Sequence, residues 1–443
     1  MSSSREAALL TLSAVERQNA WASEFLNQAI ETQNLDRRDA ALATKLCLGV
    51  LQNRMLLDFY LSQFSSLKIE KMESKVRNNL RLGLYQILFL SKIPQNAAVN
   101  EAVELTRKHC KNIKAPGMVN GILRNIIRKI DELPVLDQRD PIHYLSLRYS
   151  HPEWLIREFA QCLSMDETEQ LLRFNNTEPP ILVQVNTCKT EDVVASLEAD
   201  GVTVRRHPWL ADCLAISHTG DIERLHAFCH GLCYVQDPAA KLAVVAAGAR
   251  PGMRVLDACA APGGKSFAAG IAMNNEGEIV SCDIHANKKR IIEAGAARLG
   301  LRIISATVAD SKKKKEEWVE HFDLVIADVP CSGLGVIRKK PEIRYKKPED
   351  FRNLPEIQSQ ILETVSSYVK PGGTLLYSTC TLRVEENEAV VSDFLAKHSE
   401  FKRHTFTLPG SIGEVAEGAV TLWPHRMDTD GFFIAKLWRE LCI

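Results

Sequence analysis

Two cysteines and an acid stand out for the chemistry that their types and spacing allow. Cys331 lies in "ADVPCS", three residues after Asp328, and Cys380 closes "YSTC". Each follows an apolar run of strand character, so each side chain is expected at a strand end. A lone cysteine in such a place is most often a small hydrophobe. Two beside a carboxylate suit one specific problem, methylation at C5 of a pyrimidine, where the carbon is too weak a nucleophile by itself. A thiolate adding at C6 makes C5 electron-rich, C5 takes the methyl group, and loss of the C5 proton expels the thiol. An acid at Asp328 would hold the N3/N4 edge of cytosine, and the second thiol would help the product leave.

A second constellation sits upstream in "DACAAPGGKS", Asp257 to Ser266. Gly263 and Gly264 allow a tight turn and bring backbone N–H groups toward a ligand at a helix N-terminus. The stretch is not a phosphate-cradling loop, because Cys259 stands where that pattern needs its first glycine. It also lacks the third glycine of a dinucleotide fingerprint. Asp283 follows Asp257 by twenty-six residues, about where an acid meets ribose hydroxyls in doubly wound folds. Asp310, at the next strand end, is placed to accept from an adenine amino group. Singly each acid reads equally well as a helix cap; together they point to an adenosyl group.

These side chains need a scaffold that gathers strand ends. The last 208 residues, 236–443, alternate strand candidates (254–260, 278–284, 302–310, 322–330 and 373–380) with helical runs such as "NKKRIIEAGAARLG" and "PEIQSQILETVSSYVK". That pattern predicts an α/β Rossmann-like domain whose parallel sheet is covered on both faces and binds ligands beyond the strands' carboxyl ends. Residues 141–235, with "ILVQVNT", "VTVRRH" and "CLAIS" around one helix, predict a small α+β middle domain. Residues 1–140 place apolar side chains at three- and four-residue spacings and predict an all-α domain.

Composition narrows the class. The chain has 443 residues, enough for about three domains, with 45% hydrophobic and 25% charged residues and no net charge. No apolar run approaches a membrane span and the polar start lacks a secretory segment, so a cytoplasmic protein without membrane attachment is expected. The twelve cysteines include no Cys-x-x-Cys pair, and "HAFCHGLC" (226–233) reads as packing, so no metal site is expected. Between Arg77 and Lys129 ten Lys or Arg face only Glu101 and Glu104, a basic footprint suited to a phosphate backbone. "RKKPEIRYKK" (338–347) is expected to add RNA contacts beside the cysteine loop. Nothing in the sequence calls for more than a monomer.

"DACAAPGGKS", "DVPCSGLGV" and "YSTC" in combination resemble the motifs of the RNA cytosine-C5 methyltransferases. "RLGLYQILFLSKIPQNAAVNEAV" with "VNGILRN" is similar to the NusB-like RNA-binding domain. The resemblance spans the whole chain. It implies S-adenosyl-L-methionine as cofactor and 16S rRNA, free or in a partly assembled small subunit, as partner. It implies Cys380 as nucleophile and Cys331 as the cysteine assisting release. Cys259, Ala260, Ala261, Pro262, Gly263, Gly264 and Lys265 would line the cofactor's methionine and ribose side, with Asp283 on the ribose and Asp310 near the adenine. Asp328 would border cofactor and base, and Lys265 would help fix the catalytic acid and the base edge. Departures from the family pattern are Val329 for Ala, Ala309 for Gly and Gln184 for Arg. Two alternatives stay open: a DNA cytosine-C5 methyltransferase attacking with Cys331, and an RNA-binding factor without catalysis.

Overall fold

The computed structural model describes residues 4–18, 20–187 and 189–441, so the outermost ends of the first and last expected domains lie outside it. The chain forms two compact units, residues 1–177 with 337–346, and residues 178–336 with 347–443.

The first unit is helical: α1 (Ser4–Gln18), α2 (Ala22–Thr32), α3 (Arg37–Phe64), α4 (Ser74–Phe89), α5 (Gln95–His109), α6 (Ala115–Arg128), α7 (Pro141–Tyr149), α8 (Glu153–Phe159) and α9 (Met165–Asn175). Local chemistry sets several starts. Asp36 accepts from the Asp39 N–H at α3, Asp140 caps α7 ahead of Pro141, and Ser164 with Glu167 forms a capping box at α9. Leu9, Leu46, Val50, Leu80, Leu84, Val99 and Leu123 fill the core. Gly49 is required there, because a Cβ would stand 2.0 Å from the Tyr85 ring. Residues 141–177, expected with the middle domain, are thus three helices that join the N-terminal ones. The sheet-bearing part of that region begins only at Ile181.

The segment 337–346 belongs to this unit, and its arginine at 344 has a structural use. Arg344 is fully buried and donates to the Gln52, Tyr149 and Asn175 carbonyls and to Asn176 Oδ1. The Tyr345 hydroxyl donates to the Leu51 carbonyl, and Glu342 Oε1 accepts from the Ala22 N–H. Arg338 lies over the Phe174 ring, and Lys340 and Lys346 lie 4.8 and 4.5 Å from the Trp21 ring centroid. Arg344 is therefore committed to buried carbonyls that need its donors, whereas Lys340 and Lys347 of the same run stay exposed.

In the second unit an antiparallel sheet of β1 (Ile181–Val185), β2 (Thr203–Arg206), β3 (Cys213–Ser217) and β4 (Cys233–Val235), in the order β2-β3-β1-β4, packs on α10 (Thr190–Ala199), with α11 (His226–Cys229) before β4. Gln184, on β1, is buried and donates to the Gln236 carbonyl. The larger sheet contains β5 (Arg254–Asp257), β6 (Glu278–Asp283), β7 (Ile304–Val308), β8 (Phe322–Asp328), β9 (Val369–Thr379), β10 (Phe401–Arg403), β13 (Ala419–Leu422) and β14 (Phe432–Arg439). The short β11 (Phe406–Leu408) and β12 (Gly413–Val415) pair separately. The main order is β7-β6-β5-β8-β9-β14-β10, parallel from β7 to β9 and antiparallel at β14.

Period-two alternation sends neighbouring residues to opposite faces. Val255, Leu324, Ile326 and Leu376 meet α12 (Pro238–Ala247) and α13 (Gly264–Ala272). Leu256, Val325, Ala327, Leu375 and Tyr377 meet α15 (Leu354–Ser366) and α16 (Glu388–Lys397). The helix α14 (Ala286–Leu299) packs through Ile292 and Ala296 on Phe267, and α17 (Pro424–Met427) precedes β14. Strand order reverses between β5 and β8, so the crevice for a ligand lies beyond Asp257 and Asp328.

Candidate active site

The turn after β5 is fixed by backbone bonds: the Ala258 N–H donates to the Ile326 carbonyl, Ala260 to Cys282, and Gly263 to Ala260. Gly263 has φ +112°, which a side chain rarely tolerates, and a Cβ there would meet the Phe267 ring at 2.5 Å. A Cβ on Gly264 would stand 2.9 Å from Gln236 Nε2. The chain thus leaves a cradle of bare backbone at the start of α13. Ala260 and Ala261 pack with Tyr234 and Phe267, Pro262 follows through a cis peptide bond, and Cys259, its thiol pushed up by burial, joins the apolar cluster on the sheet face that also packs Ile361 and Val391.

Around this cradle stand the acids. Asp257 is fully buried; Ser266 donates to its Oδ2 at 2.7 Å and lies 2.7 Å from Ser281 Oγ. Burial pushes the Asp257 carboxyl up to about 6, opposed by the Ser266 bond and by Lys265. Asp283 ends β6 and accepts from the His285 N–H, and Asp310 accepts from the Lys312 N–H. Each acid therefore closes a local turn on its own backbone, and each is half-buried. The strand expected over 302–310 stops at Val308, two residues short of Asp310. Ile284, directly after Asp283, is 54% exposed, and Val308, paired in register with Asp283, is 46% exposed. These two apolar faces escaped the sequence reading, whose attention went to the acids.

Lys265 and Asp328 meet at 2.6 Å, and Ser378 donates to the other oxygen of Asp328 at 2.8 Å. Burial pulls the Lys265 ammonium down, but the charge and hydrogen bond of Asp328, joined by Asp257, outweigh it, so the lysine holds its proton tightly. Its Nζ also lies 5.0 Å from the Phe432 ring centroid. Ser378 and Phe432 were missed because their roles depend on strand pairing, β8 with β9 and β9 with β14.

The two cysteines come together. Cys331 Sγ and Cys380 Sγ lie 3.3 Å apart, both half-buried, on the loops leaving neighbouring strands β8 and β9. The hydrogen bond with Cys380, burial, and the electrostatic influence of Cys380 and Glu386 push the Cys331 thiol well up.

Charge elsewhere is less exposed than the sequence suggests. Arg77 pairs with Glu16, and Arg81 with Asp58 and Glu16, inside the helical unit. Arg107 pairs with Glu104 and Lys108 with Glu6, yet both cations stay exposed. Lys92, Lys111, Lys114, Arg124, Arg128 and Lys129 remain exposed. Among the described residues no group of His, Cys, Asp and Glu is placed to hold a metal ion, and His226 stacks on His230 at 3.9 Å. No helix among them is long and apolar enough to cross a membrane.

Three family models match. Residues 245–438 match 16S rRNA methyltransferase RsmB/F, residues 2–128 the NusB family, and residues 151–223 the ferredoxin-like domain of RsmF/B-like methyltransferases. A probable ribosomal RNA small subunit methyltransferase B of Bacillus subtilis is 37% identical over 446 aligned residues, covering 98% of both chains. One of Synechocystis sp. is 33% identical and covers 99% of both. Among solved structures, the crystal structure of PH0851 is 27% identical, with a TM-score of 0.81 and 98% of each chain covered.

Proposed function

Because the chain belongs to the ribosomal RNA small subunit methyltransferase B family, we propose that it methylates C5 of a cytosine in 16S rRNA, with Cys380 as nucleophile and Cys331 assisting release. The observation that carries this reading is the pair of thiols 3.3 Å apart beside Asp328 at the switch point of the sheet.

The residues present fit S-adenosylmethionine. The bare backbone at Gly263 and Gly264 would take its methionine and ribose side with Cys259 to Lys265; Asp283 would take the ribose hydroxyls; and Asp310 with Ile284 and Val308 would border the adenine. When bound, S-adenosylmethionine supplies the electrophilic methyl group that C5 accepts.

The remaining work falls to side chains of this chain. Cys380, its proton given up to water, bonds through Sγ to C6, and the C5–C6 π pair moves onto C5. Asp328, held by Lys265 and Ser378, fixes the N3/N4 edge of the base. Cys331, its thiol pushed well up, lies 3.3 Å from Cys380 Sγ, within reach of the sulfur that must leave. Once C5 is methylated, the C5 proton passes to water, the 5,6 double bond reforms, and Cys380 leaves as a thiolate that accepts the Cys331 hydrogen bond. The exposed cations Lys111, Lys114, Arg124, Arg128 and Lys129 would contact the RNA backbone.

The test is to react Cys331→Ala and Cys380→Ala proteins with unmodified small-subunit rRNA and S-adenosylmethionine and to look for a denaturation-resistant RNA adduct. Cys331→Ala should accumulate it and Cys380→Ala should form none. An adduct on Cys380→Ala but not on Cys331→Ala would reverse the roles.

A further inference from the structure

Two buried polar side chains outside the reacting set grip the peptide groups on either side of Cys331. Gln358, on α15, and Glu386, in the turn before α16, are both 0% exposed. Gln358 Nε2 donates to the Pro330 carbonyl at 3.0 Å and to Glu386 Oε2 at 3.0 Å. The same Glu386 oxygen accepts the Ser332 N–H at 2.8 Å. The residue before the cysteine and the residue after it are thus tied to one Gln–Glu pair.

The grip extends to the other cysteine. Ser332 Oγ lies 2.6 Å from Thr381 Oγ1, joining the residue after Cys331 to the residue after Cys380. The Gly335 N–H donates to the Cys380 carbonyl at 2.9 Å, and the Tyr377 hydroxyl donates to the Glu386 carbonyl at 2.6 Å. Arg383 faces the second Glu386 oxygen at 3.5 Å. Burying an amide and a carboxylate costs free energy that an apolar pair would avoid. Here Gln358 reaches the Pro330 carbonyl and Glu386 the Ser332 N–H, on either side of Cys331, which gives the buried groups a use beyond packing.

We propose that Gln358 and Glu386 are positioning residues that hold the Cys331 thiol against Cys380 for product release, with Ser332 and Thr381 locking the two loops together. This rests on the reading of Cys331 as the release cysteine. Neither residue touches the base; each acts through the Cys331 loop.

The experiment uses the full chain, unmodified small-subunit rRNA and S-adenosylmethionine, comparing Glu386→Ala, Glu386→Gln, Gln358→Met and Cys331→Ala. Glu386→Ala and Gln358→Met should lower kcat by about ten- to hundredfold with KM within about twofold, the cost of a slightly misplaced group. Both should accumulate the RNA adduct, as Cys331→Ala does, and neither should slow release further in a Cys331→Ala background. Glu386→Gln, which keeps an oxygen for the Ser332 N–H, should stay within about threefold of the parent. If Glu386→Ala does not fold, Gln358→Met carries the comparison with little change of volume. Accumulation in Cys331→Ala but not in the Glu386→Ala and Gln358→Met proteins overturns this proposal alone. No accumulation in Cys331→Ala overturns the release reading beneath it.

Discussion

The Lys265 ammonium lies 2.6 Å from the Asp328 carboxylate, bridging the first turn of α13 to the last residue of β8. One side of the switch point thereby holds the other. Lys265→Met leaves Asp328 with Ser378 as its side-chain partner among the described residues. The Asp328 side chain is 26% exposed, so water absorbs part of the loss, and the expected cost is about 1–3 kcal/mol in denaturant unfolding. Lys265→Arg should not restore the parent, since the longer fork must enter a site where the lysine side chain is 10% exposed. Methyl transfer should fall in both.

Asp257 gives the second unit a particular pH dependence. Its folded-state value of about 6 lies above the ordinary 3.8, so the folded chain binds this proton more tightly than the unfolded chain. The stability this confers is fully present below pH 3.8 and is lost as pH rises through about 6. Asp257→Asn keeps a polar partner for Ser266 and removes the charge. At pH 7 it should be more stable than the parent by up to about 3 kcal/mol, with the gap closing below pH about 4. A difference independent of pH would refute the assignment.

Gly263→Ala and Gly264→Ala test the cradle. At Gly263 both the positive φ and the Phe267 ring oppose a Cβ, so about 1–3 kcal/mol of stability should be lost. Gly264→Ala has an ordinary φ and meets only the Gln236 amide. It should leave stability within about 1 kcal/mol of the parent while weakening S-adenosylmethionine binding about tenfold, as read by calorimetry.

The exposed cations of α6 and its end are open to a salt titration. Replacing Arg124, Arg128 and Lys129 with Gln should weaken rRNA binding and lower the slope of log affinity against log salt by about 2–3. The same replacement of Arg77 or Arg81 should instead destabilise the helical unit, because Glu16 and Asp58 would lose buried partners.

The sequence revealed what local pattern determines. Alternation in "FDLVIAD" places Val325 and Ala327 on one face of the sheet and Leu324 and Ile326 on the other, and the polar residue ending the run sits where the crevice opens. Gly263 and Gly264 announced a turn by type alone. What escaped depends on partners far along the chain. Arg344 finds its acceptors 168 to 292 residues away, so its charge read as a solvated RNA contact. Arg77 and Arg81 misled the charge count for the same reason, their acids lying in α1 and α3. Gln358 and Glu386 carry no local signal, since two ordinary polar residues become a clamp only when α15 and the turn before α16 face the Cys331 loop.

The excursion of residues 337–346 into the helical unit bears on the order in which the protein can be finished during synthesis. Its helices α1 to α9 leave the ribosome early, yet the carbonyls of Tyr149 and Asn175 wait for a guanidinium at position 344 of 443. Domains usually fold one after another as they emerge. Here the first to be translated is completed only after β8 and the Cys331 loop have been made, so the nascent chain carries an open seam while the 169 residues from Asn175 to Arg344 are added.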